Sequence, residues 1–185
     1  DLMVSRINSL GSRTILYNYT AWGPLNPQPH GLAVDSVGNC IIAEYGANMI
    51  SKITTTGFRL VIYDYSISGP SGAGPADVAM DSSGNYVVTE YNTKAVSRIT
   101  PGGVRTQVSA TGSGPNGIAI DSLGNYIVAE EGAKGISRIT PSGSRTVVYN
   151  YTVSGPTGAI PHGVAINSAG NYVVAEVIDL LSQIT

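Results

Sequence analysis

The sequence predicts an all-β fold, a β-propeller built from four-stranded antiparallel blades. One observation is a segment of strand, turn and strand that occurs four times in the 185 residues, with starts 46, 40 and 46 residues apart. The other is the alternation of short apolar strands with glycine-containing turns, which is typical of small sheets that stack on their neighbours to bury both faces. The four copies read GLAVDSVGNCIIAE from Gly31, DVAMDSSGNYVVTE from Asp77, GIAIDSLGNYIVAE from Gly117 and GVAINSAGNYVVAE from Gly163.

The unit that contains Gly117 shows the four strands of one blade most clearly. Its innermost strand is predicted over residues 117–120, because this stretch is short and apolar and would lie next to the propeller axis. The chain then returns over 126–130 as the second strand. The third strand is predicted over 135–140 and the outermost, fourth strand over 145–152.

A repeated turn joins the first two strands of each unit. In the sequence DSLGN, Asp121 can accept hydrogen bonds from the backbone of its own turn, and Gly124 can adopt a positive φ. The other units have the same pattern. We therefore predict turn roles, and no catalytic role, for Asp35, Asp81 and Asn167 as well.

The repeat divides the chain into one propeller domain of five units, of which the first and the last are incomplete. Third strands number five, against four of each other strand, because one occurs near each end, at Val4 and at Leu181. A ring closed by its own ends would have one strand too many. The count favours a piece of a ring of about six or seven blades, or a homo-oligomer formed through the terminal blade edges. The units span approximately residues 1–29, 30–75, 76–115, 116–161 and 162–185.

Charge and hydropathy argue against two classes of partner. The chain has 10 Lys and Arg residues against 12 Asp and Glu, for a net charge of -2, so a surface that binds nucleic acid is not expected. No apolar run approaches the roughly 18 residues that would span a membrane. The single Cys40 is predicted to be a packed thiol. An extracellular or periplasmic location is the expectation.

The order of these signals resembles that of NHL-repeat propellers. In each unit a proline and an apolar strand precede the Asp/Asn-Ser-x-Gly-Asn turn, and a second apolar strand then ends in an acid. The segments PHGLAVDSVGNCIIAEYGANMISKITTTG and PNGIAIDSLGNYIVAEEGAKGISRITPSG are similar to the blades of virginiamycin B lyase-like proteins. The resemblance extends over essentially the whole chain and implies the propeller fold. It leaves the function open, because such propellers include lyases, lactone hydrolases, receptor sensor domains and RNA-binding modules.

Two histidines stand where the repeats differ. His30 and His162 each follow a proline at the start of a first strand, where the other units have alanine and asparagine. If the turn consists of five residues, His30 lies directly opposite Glu44, and His162 opposite Glu176, with Cβ atoms about 4.5–5.5 Å apart. A neutral imidazole beside a carboxylate can bind a metal ion or act as a general base.

The resemblance to virginiamycin B lyase-like proteins implies a more specific site. Those proteins have a histidine and a glutamate at this spacing near their metal and base, which implies catalytic roles for His30 and His162. It also implies a divalent cation, Mg or Ca, bound by Glu44 and Glu176. The acid that those proteins carry two residues before the histidine is Gln28 or Ile160 in this chain. The alternative is structural: the histidines shape the ring mouth, and the four repeated glutamates cap turns through neighbouring backbone amides.

Aromatic side chains predict a second kind of site. We expect Trp22, Tyr45 and Tyr91 to bind a ligand, because amphipathic rings on a surface of low charge suit sugars and extended polypeptides. The alternative is that the tyrosines cover blade edges, since outer strands favour aromatic residues. The sequence thus predicts a binding or scaffold module for a protein, peptide or glycan. The alternative function is part of a metal-assisted lyase or hydrolase.

Overall fold

A computed structural model describes residues 2 to 178, which form five antiparallel sheets in chain order. The first sheet pairs β1 (Met3–Ile7) with β2 (Arg13–Asn18), and the helical turn α1 (Tyr19–Trp22) follows. The first complete blade contains β3 (Pro29–Val34), β4 (Cys40–Glu44), β5 (Met49–Ile53) and β6 (Arg59–Asp64), followed by α2 (Tyr65–Ser68). The second contains β7 (Pro75–Met80), β8 (Tyr86–Glu90), β9 (Ala95–Ile99) and β10 (Arg105–Ala110). The third contains β11 (Pro115–Ile120), β12 (Tyr126–Glu130), β13 (Gly135–Ile139) and β14 (Arg145–Asn150), followed by α3 (Tyr151–Ser154). The last sheet pairs β15 (Ala159–Ile166) with β16 (Tyr172–Ile178).

This architecture confirms the predicted fold class. In each four-stranded sheet the strands pair in sequence order, as in a propeller blade. The innermost strands β3, β7, β11 and β15 pack side by side around the axis. None of the described helices is long and apolar enough to cross a membrane.

Glycines allow the innermost strands to approach each other closely. A Cβ atom on Gly31 would lie 2.1 Å from Oδ1 of Asp77, and one on Gly117 would lie 2.7 Å from the carbonyl oxygen of His162. Both distances are too short for a side chain, so only glycine fits at these positions. The close approach brings the starts of neighbouring innermost strands together at one end of the axis.

Apolar side chains between successive sheets form the core. The second strands of the three complete blades are buried on both faces, so neighbouring residues on one strand pack against different sheets. In β4, Ile41 packs with residues of the second blade, whereas Ile42 packs with the first sheet. Cys40 is buried in the same cluster as Ile42, which confirms the prediction of a packed thiol. Burial of each large aliphatic side chain, such as those of Ile41 and Ile42, contributes roughly 1.5–3 kcal/mol to the stability of the fold.

The predicted turns are confirmed. Oδ1 of Asp121 accepts hydrogen bonds from the backbone N–H groups of Leu123 and Asn125 at 2.9 and 2.8 Å. Its Oδ2 accepts a third from Nδ2 of Asn125. Gly124 has a φ of 81°, which favours glycine. Corresponding side-chain to backbone hydrogen bonds occur at Asp35, Asp81 and Asn167.

The fourth strand of the third blade ends earlier than predicted. The strand stops at Asn150, and a helical turn begins at Tyr151, where the sequence predicted a strand up to residue 152. The Asn150 side chain accepts a hydrogen bond from the backbone N–H of Thr152 at 2.9 Å, which is the geometry of a helix N-cap. The same cap at Asn18 and Asp64 starts the other two helical turns.

The first and the last sheet along the chain, which have two strands each, contain different strands of a blade. By their place in the repeat, β1 and β2 are third and fourth strands, whereas β15 and β16 are first and second strands. The predicted third strand at Leu181 lies outside the described residues. Because the count of five third strands depends on this strand, assembly into a homo-oligomer through the terminal blade edges stays a prediction.

Candidate functional site

The predicted pairing of histidine with glutamate is wrong by one residue. Pro29, and not His30, lies opposite Glu44, because a bulge between Pro29 and Leu32 adds a residue to β3. A bulge after Pro161 has the same effect in β15, where Pro161 pairs with Glu176. Side chains alternate between the two faces of a strand, so each histidine lies on the opposite face from its predicted partner.

Three of the four repeated glutamates are instead fully buried in ion pairs. The Glu44 carboxylate accepts hydrogen bonds from Nε of Arg59 at 2.8 Å and from the Tyr19 hydroxyl at 2.7 Å. It also contacts the Ser51 hydroxyl. Arg59 lies on the fourth strand of the same blade, whereas Tyr19 belongs to the preceding unit. Glu44 therefore connects strands within one blade and also joins two neighbouring sheets.

The same arrangement recurs in the next two blades. Glu90 pairs with Arg105, and Glu130 with Arg145. Glu130 accepts a further hydrogen bond from the backbone N–H of Gly112 at 3.1 Å. The predicted capping by backbone amides is thus seen at Glu130, while arginine is the partner common to all three.

Glu176 differs because its side chain is exposed. It accepts a hydrogen bond from the Tyr151 hydroxyl at 2.6 Å. Burial of Tyr151, followed by this hydrogen bond, raises the pKa of its hydroxyl above the usual value. Glu176 nevertheless occupies the repeat position of Glu44, so its side chain contacts the preceding blade and not His162.

A cavity of about 740 Å³ lies at the end of the axis where the innermost strands begin. Both histidines line it, together with Tyr45 and Tyr91, so the structure brings these four predicted residues together. Trp22 lies elsewhere, 71% exposed, with its ring 6.2 Å from that of Tyr17. The other lining residues are Gln28, Gly31, Leu32, Ala76, Asp77, Asn116, Gly117, Glu131 and Gly163.

One side of this cavity is aromatic. The His30 and Tyr45 rings stack in parallel, with centroids 4.9 Å apart and an angle of 9° between their planes. The Tyr91 ring meets that of Tyr45 edge-on, at 6.3 Å. The Tyr45 hydroxyl donates a hydrogen bond to Oδ1 of Asn92 at 3.2 Å, which holds the stacked pair in place.

The other side of the cavity is polar. Nδ2 of Asn116 lies 3.3 Å from Oε2 of Glu131 and also 3.3 Å from Nδ1 of His162. Nε2 of His162 lies 3.8 Å from Oε1 of Glu131. His162 thus has a carboxylate neighbour, although not the one that the strand register predicted.

The sequence reasoning missed Glu131. The signal was available at the position that follows the repeated glutamate, where the units have Tyr45, Tyr91, Glu131 and Val177. An acid at a position that holds tyrosine in two other units indicates a local function.

Asp77 is the second residue that was missed. It stands where the other three units have glycine, and Thr89 stands opposite it where they have alanine. The Asp77 carboxylate accepts hydrogen bonds from the backbone N–H of Val78 at 2.8 Å and from that of Ile118, on the next blade, at 3.0 Å. Burial raises the pKa of this carboxyl to about 6, although the two backbone hydrogen bonds act in the opposite direction.

The predicted divalent cation has few candidate ligands at this site. Among residues 2 to 178, no three His, Cys, Asp or Glu side chains come together in a group that could bind a metal. The oxygens of Glu44 already accept hydrogen bonds from protein donors, and Glu176 lies outside the cavity. The predicted pairs His30 with Glu44 and His162 with Glu176 are not brought together, and a bound Mg or Ca ion stays a prediction.

No protein-family model matches the sequence, and no curated protein matches it. Several solved structures, however, match the fold of this chain. Virginiamycin B lyase from Staphylococcus aureus superimposes with a TM-score of 0.75 at 22% identity, covering 96% of this chain and 63% of the lyase. A streptogramin B lyase gives 0.76 at 20% identity, covering 96% of this chain and 62% of the other. A chain of a nidogen/laminin complex gives 0.69 at 16% identity, with coverages of 89% and 61%.

This chain therefore spans less than two thirds of the length of each of these proteins. Identities of 16 to 22% establish a shared fold and leave the chemistry of the site to its own residues. The fold of this chain is a β-propeller whose blades are similar to those of virginiamycin B lyase.

Proposed function

We propose that this chain is a binding propeller, which accepts a protein or peptide segment in the cavity at the end of its axis. The observation that carries the proposal is the two-sided cavity of about 740 Å³. Its size is in the range of roughly 300–1,000 Å³ that is typical of ligand sites. The stacked rings offer apolar contact area, while Asn116, Glu131 and His162 offer hydrogen-bond partners.

Two further features support a polypeptide as the ligand. Residues of all four innermost strands line the cavity, so an extended segment laid across it would contact several blades at once. The similarity to a chain of a nidogen/laminin complex shows that this fold occurs in an assembly of proteins. A glycan would use the same rings and is the alternative that the experiment separates.

The test is selection of ligands from a phage library of random dodecapeptides, in parallel with a glycan array. Selected peptides are then measured by calorimetry against wild-type protein, the Tyr45→Ala variant and the Trp22→Ala variant. We expect Tyr45→Ala to weaken binding about tenfold, because it removes a stacked ring that forms one wall of the cavity. Trp22→Ala, outside the cavity, should bind as the wild type does.

The reverse result would contradict the proposal. A peptide that loses affinity with Trp22→Ala and not with Tyr45→Ala would bind beside the outer strand, where Trp22 lies against Tyr17. Glycan binding without peptide binding would assign the cavity to a sugar.

A second candidate function is proton transfer in a lyase-type reaction, favoured by the Glu131 carboxylate beside His162. A carboxylate next to an imidazole orients the ring and stabilises its protonated form. The geometry argues against a free base, however, because Nδ1 faces Asn116 and Nε2 faces Glu131. His162 would accept a proton from a substrate only after one of these neighbours moved aside.

Incubation with virginiamycin B and mass spectrometry of the products test this second candidate, with and without added Mg²⁺. Conversion by the wild type and its loss in His162→Ala would support catalysis. Absence of conversion under both conditions would contradict it for this substrate. Tight binding of the intact compound would count for the first candidate.

A further inference from the structure

The charges that line the cavity all have one sign, apart from its histidines. Asp77 and Glu131 are the carboxylates of the lining, and neither lysine nor arginine is present among the described residues that form it. A concave site with walls of low polarity concentrates the field of such charges. An anionic ligand would therefore be repelled, and a cationic group would be attracted.

The Glu131 carboxylate has acceptor capacity left for a ligand. Two carboxylate oxygens offer about four acceptor positions. Within the described structure, Glu131 accepts a hydrogen bond from Asn116 at 3.3 Å, the Tyr91 hydroxyl also interacts with its carboxylate, and its nearest approach to His162 is 3.8 Å. Both distances are longer than those of strong charge-assisted hydrogen bonds, which are about 2.7–2.9 Å. A donor from a ligand can therefore make a better hydrogen bond than the present neighbours do.

The aromatic side of the cavity suits the same group. Lysine and arginine are attracted to the face of a tyrosine ring, and a guanidinium can also stack flat on it. Tyr91 adjoins both halves of the site: its ring contacts that of Tyr45, and the Glu131 charge, after burial, raises the pKa of its hydroxyl. A cation placed between Tyr91 and Glu131 would meet a ring and a carboxylate together.

On the basis of the proposed function, we infer that the cavity binds a cationic side chain of the polypeptide ligand, an arginine or a lysine, between Tyr91 and Glu131. The carboxylate makes the charge-assisted hydrogen bond, and the tyrosine rings cover the apolar stem. Specificity then comes from the position that departs from the repeat, since glutamate replaces the tyrosine of two other units at position 131.

The test uses short blocked peptides with one variable residue. Acetyl-Gly-Arg-Gly-amide and its lysine analogue are titrated into ¹⁵N-labelled protein, and the citrulline analogue serves as a neutral isostere. We expect the arginine and lysine peptides to shift the amide signals of residues around Asn116 and Glu131. The citrulline peptide should bind about ten- to a hundredfold more weakly, as expected for loss of a hydrogen-bonded charge. Raising the salt concentration should weaken arginine binding and leave citrulline binding unchanged.

Glu131→Gln is the variant that tests the carboxylate, because it keeps the shape and removes the charge. It should abolish the preference for arginine over citrulline. Asp64→Asn is the matched control: it removes one negative charge outside the cavity, at a helix cap that is asparagine in the equivalent positions Asn18 and Asn150. This control should keep the preference. Thermal unfolding of both variants verifies that they fold.

The outcomes separate the inference from the proposed function. Equal affinity for the arginine and citrulline peptides, or an unchanged preference in Glu131→Gln, would overturn the cationic site. Library peptides without lysine or arginine that bind through Tyr45 would overturn it as well and leave the proposed function standing. If no peptide from the library or from the blocked set binds, both are wrong.

Discussion

Arg105 holds both carboxylate oxygens of Glu90, with Nε 2.7 Å from Oε1 and Nη2 2.6 Å from Oε2. The glutamate lies on the second strand of its blade and the arginine on the fourth, so the ion pair spans the third strand between them. The same pair occurs in the blades on either side, and its members are 15 positions apart in the sequence each time. The repeated glutamate and arginine are therefore one structural device, which the sequence presents as two separate repeated positions.

We predict that Arg105→Met lowers the free energy of unfolding by about 3–5 kcal/mol, because it leaves the fully buried Glu90 charge without its partner. Urea unfolding followed by circular dichroism measures the effect. Arg13→Met is the control, since Arg13 has the same repeat position but makes exposed contacts with Ser5 and Met3. A loss below about 1 kcal/mol in Arg105→Met would show that the pair contributes little.

The tyrosine that contacts the repeated glutamate provides a second comparison. Tyr19→Phe removes a hydrogen bond to the fully buried Glu44, whereas Tyr151→Phe removes the equivalent bond to the exposed Glu176. We expect a loss of about 1.5–3 kcal/mol for Tyr19→Phe, in the range for hydrogen bonds to charged groups, and a smaller loss for Tyr151→Phe, where water replaces the hydroxyl. Equal losses in the two unfolding curves would contradict this dependence on burial.

The repeated turn predicts a smaller effect. Asp121→Ala removes three hydrogen bonds within the turn, of which two go to backbone N–H groups. We expect it to lower the free energy of unfolding by about 0.5–2 kcal/mol and to leave ligand binding unchanged, since Asp121 does not line the cavity. Loss of binding at unchanged stability would show that the turn has a functional role.

The sequence predicts the blades well because their signals are local. A turn such as DSLGN and the short apolar strands beside it specify a hairpin without reference to distant residues. Pairing across the strands was predicted less well. The bulge after Pro29 contains Gly31, which packs against Asp77 of the neighbouring innermost strand, and it shifts His30 to the other face from Glu44. Packing between blades also explains why Asp77 and Glu131 were missed, since Ile118 beside Asp77 and His162 beside Glu131 each lie on the next blade.

Asp77 makes stability depend on pH in a direction opposite to that of the turn aspartates. At Asp35, burial raises the pKa, but hydrogen bonds from Asn39, Lys52 and Val37 outweigh it and lower the value to about 2. The stability that Asp35 contributes is present above pH 3.8 and is lost as the pH falls toward 2. At Asp77 the folded-state pKa of about 6 lies above the ordinary value of 3.8. The unfolded chain therefore ionises first as the pH rises, and stability falls between pH 4 and pH 6.

We predict that replacing this pair by the residues of the other units, Asp77→Gly with Thr89→Ala, removes that decrease. Between pH 4 and pH 6, the free energy of unfolding of the double variant should rise relative to that of the wild type by about 3 kcal/mol at most, since one pKa unit corresponds to about 1.4 kcal/mol. Above pH 6 the difference between the two proteins should be constant. Urea unfolding at pH 4, 5, 6 and 7 measures the difference, and both proteins share the turn aspartates, whose contribution cancels. Parallel pH profiles for the two proteins would show that Asp77 ionises in the folded chain as it does in water, and that its hydrogen bonds to Val78 and Ile118 compensate for its burial.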